Sequence, residues 1–321
     1  MKAVIITEPG EVHVTELDRP TIGAGEVLVR SRAVGISESD VELFQGKRAN
    51  GYFRYPAIPG HEWSGEVVAV GEGVAHVAPG ARVAVESICF CGLCRNCREG
   101  KTNLCEAGYE ELGFTRPGGL AEYVVVPAHQ LHVLPDHISF EEAALLASAA
   151  VVAHAFLRAQ PRPGDVVVIV GDGPSSLLAV QLARLYSPAV IAVLGFRAER
   201  LQQAQEYGAT HTVNMSREDT QSLIQSLSGG RGADLVFEGT GHVQAIEEAL
   251  TVVKRGGSVL LTGLEASIAP LSFTCDLFVL NQISVYFWGQ FGGLELCGPA
   301  ISEWLASISQ PDLSSFFTGR I

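Results

Sequence analysis

Residues 164–186, GDVVVIVGDGPSSLLAVQLARLY, set an unbroken apolar run, a glycine-rich turn and a helical pattern end to end. The run VVVIV has no polar alternation, the mark of a strand buried on both faces. Such a strand belongs inside a sheet with helices on both sides, and the helix after it carries the chain back to a parallel neighbour. The unit recurs. AVIAVLG (189–195) and AERLQQAQEYG (198–208) read as the next strand and helix. ADLVFEGTG (233–241), a helix around 243–253, SVLLTG (258–263) and a strand near 283–287 continue the alternation. It predicts an α/β fold with a doubly wound parallel sheet over 146–287.

The turn GDGPSS follows a predicted strand and opens a predicted helix, so its backbone N–H groups and the helix start face an anion. Gly171 makes the tight turn, and Gly173 lets the backbone approach a pyrophosphate; Pro174 and Ser175 open the helix. Ser176 stands where the third glycine of G-x-G-x-x-G packs helix on strand, a place a small serine fills. The expected cofactor is a nicotinamide dinucleotide. The second strand ends at Gly195 without the acidic residue that accepts from a ribose 2′-hydroxyl, and Arg197 and Arg200 follow. That exchange favours NADP over NAD. Thr240, Gly263 and Leu264 end later strands and are candidates for cofactor contact, against the alternative of ordinary strand-to-helix turns.

The first 135 residues have a different rhythm. KAVII, EVLVRSRAV, SGEVVAV, ARVAV and AEYVVVP alternate with Gly/Pro turns, which predicts a small β-barrel or sandwich. The pattern changes at Ser139, where SFEEAALLASAAVVAHAFLRA offers an N-cap, acidic residues in the first turn and a long apolar face; one helix is expected. Within the β-rich part, Cys91, Cys94, Cys97 and Cys105 lie at C-x₂-C-x₂-C-x₇-C spacing. Four thiolates so placed fit a closed tetrahedral zinc site with no room for substrate, a clamp on a loop. Cys89 is a competing ligand two residues upstream.

The charge is −13, from 22 Lys and Arg against 35 Asp and Glu, which argues against a nucleic-acid or anionic-membrane partner. The longest apolar run, residues 143–157, is shorter than the roughly 18–20 residues of a membrane span. The N-terminus lacks the features of a signal peptide, and clustered cysteines in a reducing compartment favour metal over disulfides, so a cytoplasmic location is expected.

Taken together, GEVLVRSRAVGI, YPAIPGHEWSGEVVAVGEGV, the cysteine block and GDVVVIVGDGP resemble the zinc-containing medium-chain alcohol dehydrogenase superfamily, in particular its polyol and threonine dehydrogenase-like members. The resemblance implies a GroES-like β-barrel catalytic domain over 1–145, with a structural zinc lobe at about 89–106, and a Rossmann domain over 146–287. It implies a C-terminal segment, 288–321, that returns toward the catalytic domain and stops short of the family's usual length. It also implies a homo-dimer or homo-tetramer and a small alcohol or ketone substrate.

The family's second, catalytic zinc is held by a cysteine in G-I-C-G-[ST]-D, by the histidine and often the glutamate of GHE, and in many members by a later glutamate before proline. By resemblance, His61 and Glu62 are the retained ligands of that site, Ser39 the proton-relay hydroxyl and Asp40 the carboxylate that orients the histidine. The first segment here reads GISESD, with Ser37 in the cysteine's place, and Ala147-Ser148 replace Glu-Pro. A serine hydroxyl is a poor zinc ligand beside Cys, His and carboxylate. The expectation is an NAD(P)-dependent oxidoreductase acting on a secondary alcohol or polyol, zinc-assisted if the second site is filled. The alternatives are a catalytically silent NADPH-binding protein and a zinc-independent enzyme of the quinone reductase type.

Overall fold

A computed structural model of the chain describes residues 1–263 and 272–287. Leu264 and the segment 288–321, both named above, lie outside the described residues. The chain divides into two compact units, one over residues 1–147 and the other beginning at Ser148.

The first unit is β-rich. β1 (Lys2–Glu8) and β2 (Glu11–Glu16) form an antiparallel pair, followed by β3 (Glu26–Gly35) and a short helix, α1 (Glu38–Gln45). Next come β4 (Glu62–Val70), β5 (Arg82–Val85), α2 (Arg95–Arg98), β6 (Tyr123–Pro127), β7 (Leu131–Val133) and α3 (Phe140–Ala144). Five of the strands make an antiparallel sheet in the order β6-β3-β4-β5-β7. Val27, Val29, Val67, Val83, Val124 and Val126 meet Trp63 in its core. Alternate residues of these strands turn inward, as the sequence pattern requires. Trp63 is 1% exposed, so the aromatic after GHE is a packing residue.

α4 (Leu146–Arg158) carries the chain across the boundary at Ser148, and the second unit then alternates: β8 (Val166–Val170), α5 (Pro174–Arg184), β9 (Val190–Gly195), α6 (Ala198–Glu206), β10 (His211–Asn214), α7 (Thr220–Leu227), β11 (Ala233–Glu238), α8 (Val243–Val252), β12 (Val253–Leu261), α9 (Cys275–Asn281) and β13 (Ser284–Phe287). The six strands are parallel and ordered β10-β9-β8-β11-β12-β13. Counted within the unit, that order is 3-2-1-4-5-6, the doubly wound dinucleotide-binding topology. All five residues of β8 are buried, as an apolar run with no polar face demands.

Two expectations need correction. The single helix expected from Ser139 is two, α3 and α4, with the break at Leu145, whose N–H turns back to the Glu142 carbonyl. Ser139 does cap the first of them: its hydroxyl accepts the Glu142 N–H while Glu142 accepts the Ser139 N–H. The strand expected at 258–263 starts at Val253 and ends at Leu261.

Candidate functional site

Three groups of side chains carry chemistry. In the cysteine lobe the sulfurs of Cys91, Cys94, Cys97 and Cys105 all lie within 4.8 Å of one another. Cys94 and Cys97 are 3.3 Å apart and Cys91 and Cys97 4.0 Å. Zinc–sulfur bonds of 2.3 Å set a tetrahedron with edges of about 3.8 Å, so the quartet has the size of one closed zinc site. The N–H groups of Leu93 and Cys94 point at Cys91 Sγ, that of Cys97 at Cys94 Sγ and that of Cys91 at Cys105 Sγ, each at 3.3–3.4 Å. Those of Leu93 and Cys94 lower Cys91 to about 6. Burial and the neighbouring Cys94 push Cys97 up to about 12. Four thiolates at this distance would repel one another, and a divalent metal among them would offset that repulsion. Cys89 is outside the quartet; Gln130 Nε2 lies 3.7 Å from its sulfur.

The second group surrounds His61. Asp40, 5% exposed, occupies the third position of α1. Its Oδ2 accepts the Ser37 N–H at 2.9 Å and the Ser37 hydroxyl at 3.0 Å, and its Oδ1 accepts the Gly60 N–H at 3.0 Å. The same Oδ2 lies 3.5 Å from His61 Nδ1. Nδ1 itself is buried and, among the described residues, has no hydrogen-bond partner, so the contact is electrostatic rather than a formed hydrogen bond. Burial pushes the His61 imidazolium down, but Asp40, with Glu62 and Glu111 behind it, pulls harder and raises it to about 9. Burial also works against the Asp40 carboxylate, and His61 with the Ser37 and Gly60 donors more than offsets it, leaving that group below its ordinary value.

Asp40 therefore ties Ser37, Gly60 and His61 into one corner. Glu62 pairs with Gly35 across β3 and β4 and lays its carboxylate over that glycine, where a Cβ would meet Glu62 Oε2 at 3.1 Å. Ser39 is half-buried in the first turn of α1, and Glu38 is exposed. Among the described residues, the cysteine quartet is the one group of three or more His, Cys, Asp or Glu within metal-binding reach. Serine at 37 stands at the N-cap of α1, a place for which its hydroxyl is well suited. With Ala147 in the other ligand position, the donor set at His61 falls short of a zinc site.

Sequence reasoning missed Glu111. It is 6% exposed, and burial raises its carboxyl above the ordinary value despite His61 and Arg48. Arg48 Nη2 lies 3.0 Å from Glu111 Oε2, the Tyr109 hydroxyl donates to the same oxygen, and the guanidinium stacks 3.6 Å over the Phe114 ring. Phe114 in turn lies 4.9 Å from the His61 ring. No local pattern marks Glu111, because its partner Arg48 is 63 residues away.

The third group lies at the C-terminal ends of β8, β9, β11 and β12. Gly171 has φ +114°, and a Cβ on it would strike Thr240 Cγ2 at 2.6 Å and Ser176 Oγ at 2.7 Å. Ser176, 1% exposed, therefore packs beneath the turn. Gly173 caps α5 with no side-chain hydrogen bond, Pro174 opens the helix and Ser175 follows it. Among the described residues, a Cβ at Gly173 would meet nothing within 4 Å, which leaves open space in front of a helix start. Across the switch point between β8 and β11, the buried Glu238 accepts the Thr240 N–H at 2.7 Å and the Gly241 N–H at 3.1 Å. Gly263 packs directly on Thr240 and Gly241. This cradle fits a dinucleotide pyrophosphate.

At the end of β9 the arginines are engaged. Arg197 Nε lies 2.9 Å from Asp172 Oδ1, and Arg200 Nη1 lies 2.9 Å from Gln203 Oε1. Asp172 is a second residue that sequence reasoning missed.

Two family models match the chain, the alcohol dehydrogenase GroES-like domain at residues 23–136 and the zinc-binding dehydrogenase at 176–304. A sorbitol dehydrogenase of Bacillus subtilis strain 168 is 35% identical over 294 residues, covering 89% of this chain and 81% of its own. The chain belongs to the zinc-type medium-chain alcohol dehydrogenase superfamily.

Solved structures of this superfamily agree in fold. A zinc-binding dehydrogenase from Sinorhizobium meliloti 1021 bound to NADP is 29% identical with a TM-score of 0.87, over 97% of this chain and 90% of that one. An alcohol dehydrogenase (rspB) from E. coli CFT073 complexed with NADH is 30% identical with a TM-score of 0.86, over 96% and 88%. The GroES-like and Rossmann architecture expected from the sequence is the one observed.

Proposed function

We propose that the chain is an NAD(P)-dependent oxidoreductase that interconverts a secondary alcohol or polyol and a ketone by hydride transfer. The observation that carries this reading is the cradle of Gly171, Gly173, Thr240 and Gly263 at the switch point of a 3-2-1-4-5-6 sheet. The named activities of relatives, sorbitol dehydrogenase and erythritol/L-threitol dehydrogenase among them, support a small polyhydroxylated substrate.

When bound, the nicotinamide supplies the carbon that accepts or donates hydride. This chain's residues handle the oxygen. His61, held charged by Asp40, stabilises the developing alkoxide and exchanges its proton; Ser39 relays that proton, and Ser37 and Glu62 complete the polar lining. The cysteine quartet holds a structural zinc. The weak donor set at His61 supports the metal-independent form of the reaction over the zinc-assisted one.

The choice of NADP over NAD, favoured by Gly195, Arg197 and Arg200, turns on what Arg197 is free to bind. The exposed side chains of Val279, Leu280 and Phe287 on α9 and β13 support a homo-oligomer formed through this unit.

The test pairs binding with turnover. Gly173→Val puts a side chain into open space, so circular dichroism and melting are expected to stay close to wild type. Reduced dinucleotide binding, followed by nicotinamide fluorescence, is expected to drop beyond detection together with activity on a polyol panel. Unchanged dinucleotide binding in Gly173→Val overturns the assignment of the cradle.

A further inference from the structure

At the corner where β9 meets α6, two backbone N–H groups and one guanidinium converge on one carboxylate. Asp172 Oδ2 accepts the Phe196 N–H at 2.9 Å and the Arg197 N–H at 2.8 Å. Its Oδ1 accepts Arg197 Nε at 2.9 Å and also the Nη2 of the same guanidinium. Each oxygen thus accepts two hydrogen bonds, and both guanidinium contacts fall on Oδ1. Asp172 is 7% exposed, although the Arg197 side chain is 60% exposed. A Cβ on Gly195 would lie 2.8–3.1 Å from Asp172 Cβ, Cγ and Oδ2. Any acidic residue at the strand end is therefore excluded, because a carboxylate from the glycine turn already fills its place.

In this topology the end of the second strand is where the adenosine ribose lies, and where an acidic residue or an arginine selects between a 2′-hydroxyl and a 2′-phosphate. The donors a 2′-phosphate needs are the backbone N–H groups at the start of α6 and a nearby guanidinium. In this chain they are the ones already bound to Asp172. A phosphate dianion would have to displace a buried carboxylate or approach it against charge repulsion; a neutral ribose hydroxyl meets no such barrier. Arg200 is bonded along α6 to Gln203.

We propose that Asp172 acts as an internal anion at the 2′ corner of the dinucleotide site, neutralising Arg197 and making NAD(H) the preferred cofactor. This rests on the dinucleotide reading above and reverses the preference that Arg197 alone would give.

The test is equilibrium binding of NADH and NADPH to the purified full chain, to Asp172→Asn and to the double variant Asp172→Asn/Arg197→Gln. Wild type is expected to bind NADH about tenfold tighter than NADPH or more. Asp172→Asn shifts the ratio of the two dissociation constants toward NADPH by at least about tenfold, and adding Arg197→Gln takes that gain away. Tighter NADPH binding by wild type overturns the proposal, as does an unchanged ratio in folded Asp172→Asn. Should that variant not fold, the wild-type ratio still decides. Failure of folded wild type to bind either dinucleotide defeats the reading of the site itself and takes the proposal with it.

Discussion

His61 and Asp40 show how a single buried pair sets both charge state and stability. His61 titrates at about 9 in the folded chain, against about 6.5 for an unperturbed histidine. A raised folded-state value means the stabilisation is fully present below about pH 6.5 and is lost as pH rises through 9. The shift bounds the effect at about 3 kcal/mol. Denaturant midpoints are expected to fall from pH 6.5 to 9.5 in wild type. Asp40→Asn should lower stability at pH 7 by about 3 kcal/mol and remove most of that slope. A flat wild-type profile over this range would contradict the pairing. At this scale the sequence was partly legible. His61, Asp40 and the glycines sit in local motifs, whereas Glu111 and Asp172 take their meaning from Arg48 and Arg197, 63 and 25 residues away. Arg197 misdirects for the same reason: its charge is visible in the sequence, but its partner is not.

Among the elements, those with a strong period were the readable ones. β8, β9 and β11 are apolar runs, and α5 follows a glycine turn with Pro174 in its first turn. β2, β7 and β10 are short or mostly exposed and left no pattern. α1 was hidden because its N-cap serine occupies a position that resemblance assigns to a metal ligand. The cysteine lobe is the element most dependent on something other than apolar packing: α2 has four residues, none of them buried. Its order is therefore expected to come from metal–sulfur bonds together with the N–H groups aimed at the sulfurs. A strong chelator is expected to make the stretch Arg95–Lys101 cleavable by trypsin while far-UV circular dichroism changes little. Zinc should restore protection. Persistent resistance in metal-free protein would show that the lobe stands without its ion.

For the molecule as a whole, alternation along the sequence was enough to specify the parallel sheet, because every pairing but β8 with β11 joins strands consecutive in the chain. The barrel order β6-β3-β4-β5-β7 was not readable, since β3 and β6 pair across about a hundred residues of chain with no periodic signal linking them. The metal content of the whole chain tests how that barrel is used. The quartet supplies four sulfurs, and the His61 corner supplies an imidazole, a glutamate and a serine hydroxyl. Purified protein is accordingly expected to carry about one zinc per chain. Ser37 Oγ lies 3.0 Å and His61 Nδ1 3.5 Å from Asp40 Oδ2, so a sulfur introduced at 37 would join the imidazole's corner around that carboxylate. Ser37→Cys is expected to raise the count toward about two per chain, with Cys, His and Glu as donors. A wild-type count of two would place a metal at His61 and hold its ring neutral, and the pH dependence argued for Asp40 would vanish with it. A count of one in wild type together with turnover would assign the oxygen chemistry to the charged imidazole.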